Sequence, residues 1–159
     1  MSLDPVKLAS ELIKIKSITP NGLDAINLIK EVLESHGFVC KILSFGKGSE
    51  EVVNLYARHG KKSPNLCFAG HVDVVPEGVA EEWSFEPFSG TIFKGQLCGR
   101  GAVDMKSSIA TFISAVTDFL IQNNNFFNFG SISFLITSDE EGKAINGTKK
   151  VVEWLKETK

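Results

Sequence analysis

Leu66 to Val75 read LCFAGHVDVV, an apolar run that is interrupted by the polar residues His71 and Asp73. Apolar side chains on both faces as far as His71 are typical of a strand inside a sheet, so the run predicts a central, buried strand. His71 and Asp73 are two residues apart, and in an extended chain their side chains point to the same face. The stretch therefore predicts a strand that carries a histidine and an aspartate at its carboxyl end.

Helices and strands alternate on both sides of this run. Asp4 is a predicted N-cap with Pro5 at the first helical position, and a second helix is expected over Leu23 to Ser35, stopped by Gly37 in a left-handed conformation. The other predicted elements are strands at Val39–Phe45, Val53–Ala57 and Ser131–Thr137, a hairpin of Thr91–Phe93 and Gln96–Cys98 turned at Lys94-Gly95, helices at Met105–Gln122 and Gly147–Glu157, and a loop at Asn123–Asn125. This alternation predicts an α/β fold of three layers, α/β/α, around a largely parallel mixed sheet. In such sheets ligands bind at the carboxyl ends of the strands.

Length and composition exclude several classes of protein. The 159 residues suffice for one domain with a substantial core, and the net charge of −2 gives no reason to expect nucleic acid or a membrane surface as a partner. No apolar stretch approaches the ~20 residues of a membrane span, and the amino terminus lacks a signal-peptide pattern. Cys40, Cys67 and Cys98 are widely spaced, which predicts free, buried thiols and a reducing, cytoplasmic compartment.

Two further motifs contain acidic residues. Gly99 to Lys106 read GRGAVDMK, a glycine-rich turn that presents Asp104 near the start of a helix, where it could bridge two cations or simply cap the helix. Ser138 to Gly142 read SDEEG and follow an apolar strand directly. Carboxylates there are costly unless a cation or another partner compensates them, and of two adjacent ones either could bind metal while the other moves protons. Taken singly, each motif could also be an ordinary polar loop.

The three motifs together predict a metal site. A histidine, a bridging aspartate and a glutamate, each at a strand end, make a mixed nitrogen and oxygen donor set that suits zinc. Paired metal ions polarise a carbonyl group and generate hydroxide near neutral pH. A binding module without metal chemistry is the weaker interpretation, because it leaves these acids without a structural use.

In this order the motifs resemble those of the zinc aminoacylase and carboxypeptidase family of metallopeptidases, and the resemblance extends over nearly the whole chain. It is strongest to the members that hydrolyse the succinyl amide of N-succinyl-LL-diaminopimelate on the route to lysine and cell-wall peptide. Trp83 to Phe88, Leu135 to Glu141 and Gly147 to Leu155 carry that finer likeness. Sibling N-acyl amino-acid deacetylases and aminoacylases share most of these residues and are the alternative. Either way, the implied substrate is a small N-acyl amino acid.

The resemblance implies a role for each site residue. His71 would ligate one zinc ion, Asp104 would bridge both ions, and Glu141 would ligate the other, with Co²⁺ as a possible substitute. Glu140 would be the general base and acid. Asp73 would support His71 from behind, and the peptide bond after Asp104 would be cis.

Length is the main departure from the family, whose members are much longer than 159 residues. They carry a further acidic ligand just beyond residue 159, then a lid and dimerisation domain, and a final histidine ligand. His36 and His59 offer no replacement. The resemblance therefore implies that residues 1–159 are the N-terminal portion of the catalytic domain. It also implies that this chain alone is inactive, and a non-catalytic folded fragment is therefore a further alternative. We expect the chain to expose an apolar edge and to self-associate through it, whereas complete members would be homodimers.

Overall fold

The structure, a computed structural model, describes residues 2–123 and 130–158. Its helices are α1 (Pro5–Lys14), α2 (Leu23–Ser35), α3 (Ser107–Gln122) and α4 (Thr148–Glu157), and its strands are β1 (Val39–Phe45), β2 (Val52–His59), β3 (Asn65–His71), β4 (Ile92–Phe93), β5 (Gln96–Leu97) and β6 (Ser131–Thr137). Two residues of the predicted loop, Asn124 and Asn125, lie outside the described residues. None of the described helices combines the length and the apolar character that a membrane crossing needs.

Local sequence signals explain where the first two helices begin and end. The Asp4 carboxylate accepts hydrogen bonds from the backbone N–H groups of Val6 and Lys7, which caps α1 as predicted. Helix α2 ends just before Gly37, which has a φ of 83° as the predicted left-handed stop requires. Both predictions are confirmed. Helix caps depend on residues that are close together in the chain, so the sequence alone is enough to predict them.

The four long strands form one mixed sheet in the order β1-β2-β6-β3. The α/β fold with a mixed sheet is confirmed, but only β3 and β6 are parallel, whereas β1 with β2 and β2 with β6 are antiparallel. Residues 46–51 join β1 to β2, and a connection that short can only close an antiparallel pair. The parallel pair is joined through α3, as a crossover requires. The expectation of a largely parallel sheet therefore holds for β3 and β6 alone.

Helices cover both faces of the sheet, as the three-layer prediction requires. Leu55, Ala57 and Phe134 face one side and share a buried core with α1, α2 and α3. Successive strand residues point to opposite faces, so Tyr56 faces the other side, where its ring meets that of Trp154 on α4 at 5.9 Å. Strand β6 lies in the middle of this arrangement, and all seven of its residues are buried.

Strand β3 is an edge strand, so its predicted central position is wrong. Leu66 is 59% exposed, and β3 ends at His71 rather than continuing to Val75. Apolar residues on both faces indicate burial only when another strand lies on each side, and in the described residues β3 pairs with β6 alone. Leu66 instead lines an apolar groove with Phe112 and Phe119 of α3. The exposed apolar edge that the sequence predicts is present here.

The cysteines are free, as predicted, but none of them is fully buried. Cys67 lies on β3 and is exposed, while Cys40 and Cys98 are half-buried. The prediction of buried thiols holds only in part at Cys40 and Cys98, and it fails at Cys67 for the same reason as the prediction of a central β3. Burial raises the pKa of the half-buried Cys40 thiol to about 11.

Candidate metal centre

The parallel pairing of β3 with β6 brings two of the three motifs together. His71 is the register partner of Thr137, the last residue of β6, and Val72 continues the pairing by donating its N–H to the Thr137 carbonyl at 2.9 Å. Since parallel strands end at the same edge of a sheet, the residues after His71 lie beside the residues after Thr137. Asp73 therefore lies next to Glu140 and Glu141.

His71 is held in one orientation and one tautomer. The residue is 4% exposed, and its Nδ1 lies 2.9 Å from the backbone carbonyl oxygen of Asp73. A carbonyl oxygen can only accept a hydrogen bond, so the proton of the neutral ring belongs on Nδ1. The Nε2 atom is then left with its lone pair directed towards Asp104 and Glu140, which is the arrangement that a histidine ligand needs.

The Asp73 carboxylate holds the acidic turn rather than the histidine. The residue is fully buried, and its carboxylate accepts hydrogen bonds from the backbone N–H groups of Glu140 at 3.1 Å and Glu141 at 3.0 Å. Its Oδ1 atom is 3.6 Å from His71 Nδ1, farther than the carbonyl oxygen of the same residue. Asp73 thus orients His71 through its main chain and the two glutamates through its side chain.

Asp104 reaches the same place from the turn before α3. Its Oδ1 atom is 3.1 Å from His71 Nε2, and the Asp104–Met105 peptide bond is cis, as the resemblance implies. Helix α3 begins at Ser107, two residues later than predicted, because Asp104 and Met105 have non-helical backbone angles. The N-cap position of α3 is Lys106 and has no side-chain cap, so Asp104 does not cap this helix.

The two glutamates complete a group of converging donor atoms. Glu140 Oε2 is 3.8 Å from His71 Nε2, and one ligand atom from each of His71, Glu140 and Glu141 lies within 4.8 Å of the other two. Burial raises the pKa of Glu141, the nearby His71 opposes that shift, and Asp104, Glu140 and Asp73 reinforce it. Asp104 joins this group through His71 and is not one of the three mutually close residues.

The donor set fits a metal ion. In the described part of the chain the ion pairs of Asp104 and Glu140 are both with His71, so a group rich in carboxylates faces one imidazole. A divalent cation would offset the mutual repulsion that reinforces the raised pKa of Glu141. An imidazole nitrogen with carboxylate oxygens is a donor set that zinc accepts.

The other two histidines lie outside this group. His36 Nδ1 is 2.8 Å from the carbonyl oxygen of Val32 at the end of α2, and the His59 ring packs edge-on against Phe38. Neither belongs to the group of converging ligand atoms among the described residues.

Lys106 is a residue of the site region to which the sequence pattern gives no role. It follows Asp104 by two positions, is fully buried, and is one of the largest such side chains among the described residues. Burial lowers the pKa of its amine to about 8, and the Asp73 carboxylate opposes that shift. Its position inside the GRGAVDMK motif is the only signal in the sequence that points to it.

Comparison with known proteins places this geometry in a family. The sequence pattern of peptidase family M20/M25/M40 matches residues 67–159, more than half of the chain. The chain is 53% identical over 156 residues to a succinyl-diaminopimelate desuccinylase of Rhodospirillum centenum, and 51% identical over 156 residues to one of Ehrlichia canis. In both cases the match covers 98% of this chain and 40% of the relative, so the chain spans about 40% of the length of these curated relatives.

Solved structures share the fold. An M20 family metallo-carboxypeptidase of Sulfolobus solfataricus, Sso-CP2, superposes with a TM-score of 0.72 at 26% identity, over 87% of this chain and 31% of that protein. Human carnosine dipeptidase 1 superposes with a TM-score of 0.74 at 23% identity, over 94% of this chain and 34% of that protein. The catalytic domains of such peptidases therefore have the same mixed α/β architecture as this chain.

Proposed function

The chain belongs to peptidase family M20/M25/M40, a family of hydrolases, and from that membership we propose that residues 1–159 are the N-terminal portion of the catalytic domain of a di-zinc amide hydrolase. The complete enzyme hydrolyses N-succinyl-LL-diaminopimelate to succinate and LL-diaminopimelate. The names of relatives about half identical over almost the whole chain support this substrate.

One observation carries the proposal, the convergence of His71 with Asp104, Glu140 and Glu141 at the carboxyl ends of β3 and β6. His71 and Glu141 would each hold one zinc ion, and Asp104, as a carboxylate with two oxygens, would bridge the pair. When bound, the zinc ions supply Lewis acidity toward the amide carbonyl and lower the pKa of water.

Glu140 moves the proton in this scheme. Its side chain is 58% exposed, so Oε2 can reach a water molecule and a substrate bound above the strand ends. Oε2 accepts a proton from the water that attacks the amide carbon and then delivers it to the departing amine nitrogen, so the carboxylate is regenerated. The Asp73 carboxylate holds the Glu140 main chain in place while this occurs.

A polypeptide of these 159 residues has no turnover of its own in this proposal. With Asp104 counted at both ions, each zinc ion would have two protein ligands, whereas catalytic zinc sites usually have three. The enzyme acts in the cytoplasm on a small molecule, with no nucleic acid or membrane partner. In this proposal the complete enzyme is a homodimer, and the isolated chain self-associates through the exposed edge at β3.

A calorimetric zinc titration of the metal-free chain tests the site. The expected result is weak or sub-stoichiometric binding that disappears in a His71→Ala variant. Zinc uptake that is unaffected by His71→Ala would refute the site. Two tightly bound ions per chain would instead show that other groups complete it, and the inactivity of the chain would have to be abandoned.

A chimera tests the activity. Residues 1–159 are followed by the remaining part of the Rhodospirillum centenum desuccinylase, which is half identical over the matched segment. The zinc-loaded chimera is expected to hydrolyse N-succinyl-LL-diaminopimelate, and its Glu140→Gln variant is expected to bind zinc without turnover. A chimera that prefers the N-acetyl analogue would favour the sibling deacetylase reaction and refute the proposed substrate.

A further inference from the structure

Lys106 is a fully buried lysine to which the proposed reaction gives no part. Lysine is almost never fully buried without a partner, because its ammonium group loses hydration. Its partners are therefore informative about its purpose. They lie more than ninety residues earlier in the chain, at the carboxyl end of α1.

The Lys106 ammonium caps the carboxyl end of α1. Its Nζ atom donates to the carbonyl oxygen of Leu12 at 2.9 Å and to that of Ile15 at 2.8 Å. The last carbonyl groups of a helix lack partners within the helix, and a positive charge there interacts favourably with the helix dipole. Leu12 and Ile13 are fully buried, so this end of α1 is a fixed part of the core.

The main chain of Lys106 closes the turn that carries Asp104. The Lys106 N–H donates to the carbonyl oxygen of Gly101 at 3.0 Å. Gly101 has a φ of 83°, and a Cβ added there would lie 3.1 Å from the Lys106 side chain, so the lysine stem packs directly against the glycine. These contacts join residues 101 and 106, the two ends of the turn, and Asp104 lies between them.

Among the residues that the structure describes, the Asp104 side chain has little other support. It is 72% exposed, and the side chain that it contacts at hydrogen-bond distance is His71. The direction of its carboxylate therefore depends on the main chain of the turn, where Asp104 and Met105 depart from helical angles. Whatever fixes the turn relative to the sheet also fixes the distance from Asp104 to His71.

We propose that Lys106 is a positioning residue, whose ammonium group anchors the Asp104 turn to the end of α1 and so sets the placement of the bridging carboxylate. The expected effect of this anchoring on metal binding rests on the proposed function. Lys106 touches neither substrate nor metal ion in this proposal.

The test uses the 159-residue chain loaded with Co²⁺, whose visible absorption bands report the coordination geometry, together with zinc titrations. Lys106→Met keeps the length of the side chain but cannot donate. Ser114→Ala is the matched control, because Ser114 is also buried, at 7% exposure, and also donates to a backbone carbonyl, that of Leu3, away from the site. Lys106→Met is expected to shift the Co²⁺ bands and to lower zinc affinity about 10- to 100-fold. Ser114→Ala is expected to leave both unchanged.

Each outcome decides between the two proposals. A parent chain that takes up neither ion refutes the metal centre, and the positioning role with it. If the parent chain binds the ions and a folded Lys106→Met variant has the same Co²⁺ bands and the same zinc affinity, the positioning role alone is refuted. If the Met variant does not fold, Lys106→Arg takes its place, because arginine keeps the charge but moves the donors. Unchanged Co²⁺ bands in that variant would overturn the proposal.

Discussion

Replacing Asp73 by asparagine removes one negative charge from a buried position and changes the side-chain volume very little. In the parent chain the Asp73 carboxylate accepts hydrogen bonds from the N–H groups of Glu140 and Glu141, at 3.1 and 3.0 Å. Both N–H groups donate to the same oxygen, Oδ2, and the Glu140 N–H also lies 3.3 Å from Oδ1. An asparagine side chain that places its amide oxygen at the Oδ2 position keeps both hydrogen bonds, but the acceptor is no longer charged.

The magnitude follows from the loss of charge at these two hydrogen bonds. A hydrogen bond to a charged group contributes about 1.5–3 kcal/mol and a neutral one about 0.5–1.5 kcal/mol, so the two weakened bonds should together lower the free energy of unfolding by about 2–3 kcal/mol. With a urea m value of ~2 kcal/mol/M, the midpoint of unfolding should fall by about 1 M. Zinc affinity should fall about 10- to 100-fold, as it does when the supports of metal ligands are removed.

Asp139→Asn is the matched control. Asp139 is 6% exposed and its carboxylate accepts from two backbone N–H groups, those of Ile145 at 3.0 Å and Asn146 at 3.2 Å. The control should lose a similar amount of stability in urea with a much smaller loss of zinc affinity, because residues 145 and 146 are not among the proposed ligands. The reasoning is refuted if Asp73→Asn unfolds at the parent midpoint, or if both variants lose zinc affinity equally.

Three further predictions concern the core, the thiols and the turn. Phe134→Ala should lower the free energy of unfolding, measured in urea, by about 3–5 kcal/mol, because the residue is fully buried in the interior strand β6. Phe93→Ala, at 47% exposure, should lower it by about 0.5 kcal/mol or less, and equal losses would contradict the core assignment. Iodoacetamide at pH 8 should label the exposed Cys67 long before Cys40, since a pKa of about 11 leaves Cys40 with about 100-fold less thiolate than an ordinary thiol; peptide mass mapping would show a reversed order if this is wrong. Gly101→Ala should lower the melting temperature, because its φ is 83° and an added Cβ would meet a neighbouring side chain at 2.8 Å; an unchanged melting temperature would exclude this strain.

The sequence predicts well those structural features that depend on residues close together in the chain. The cap at Asp4, the stop at Gly37 and the strand Ser131–Thr137 all depend on short-range patterns, and each is found where it is predicted. The hairpin turned at Lys94-Gly95 is also present, one residue shorter at its outer ends than predicted.

Features that depend on distant residues are not predictable in this way. The edge position of β3 depends on which strand lies beside it, and the apolar run at Leu66 carries no information on that. The spacing of His71 and Asp73 does not reveal which atom of Asp73 contacts the ring; in the structure it is the main-chain carbonyl, because the carboxylate turns towards Glu140. The partners of Lys106 are main-chain carbonyls, which no side-chain pattern reveals.

The parallel register of His71 with Thr137 has a consequence for how the chain folds. No turn joins β3 to β6, so the ligand atoms stay far apart until a long loop has closed, and closing such loops is slow compared with forming local helices. An unfolded chain consequently offers zinc no preassembled site, and the ion should act on the equilibrium rather than as a nucleus for folding. Added metal should raise the melting temperature with its free concentration, and a chelator should reverse the gain without changing the refolding rate.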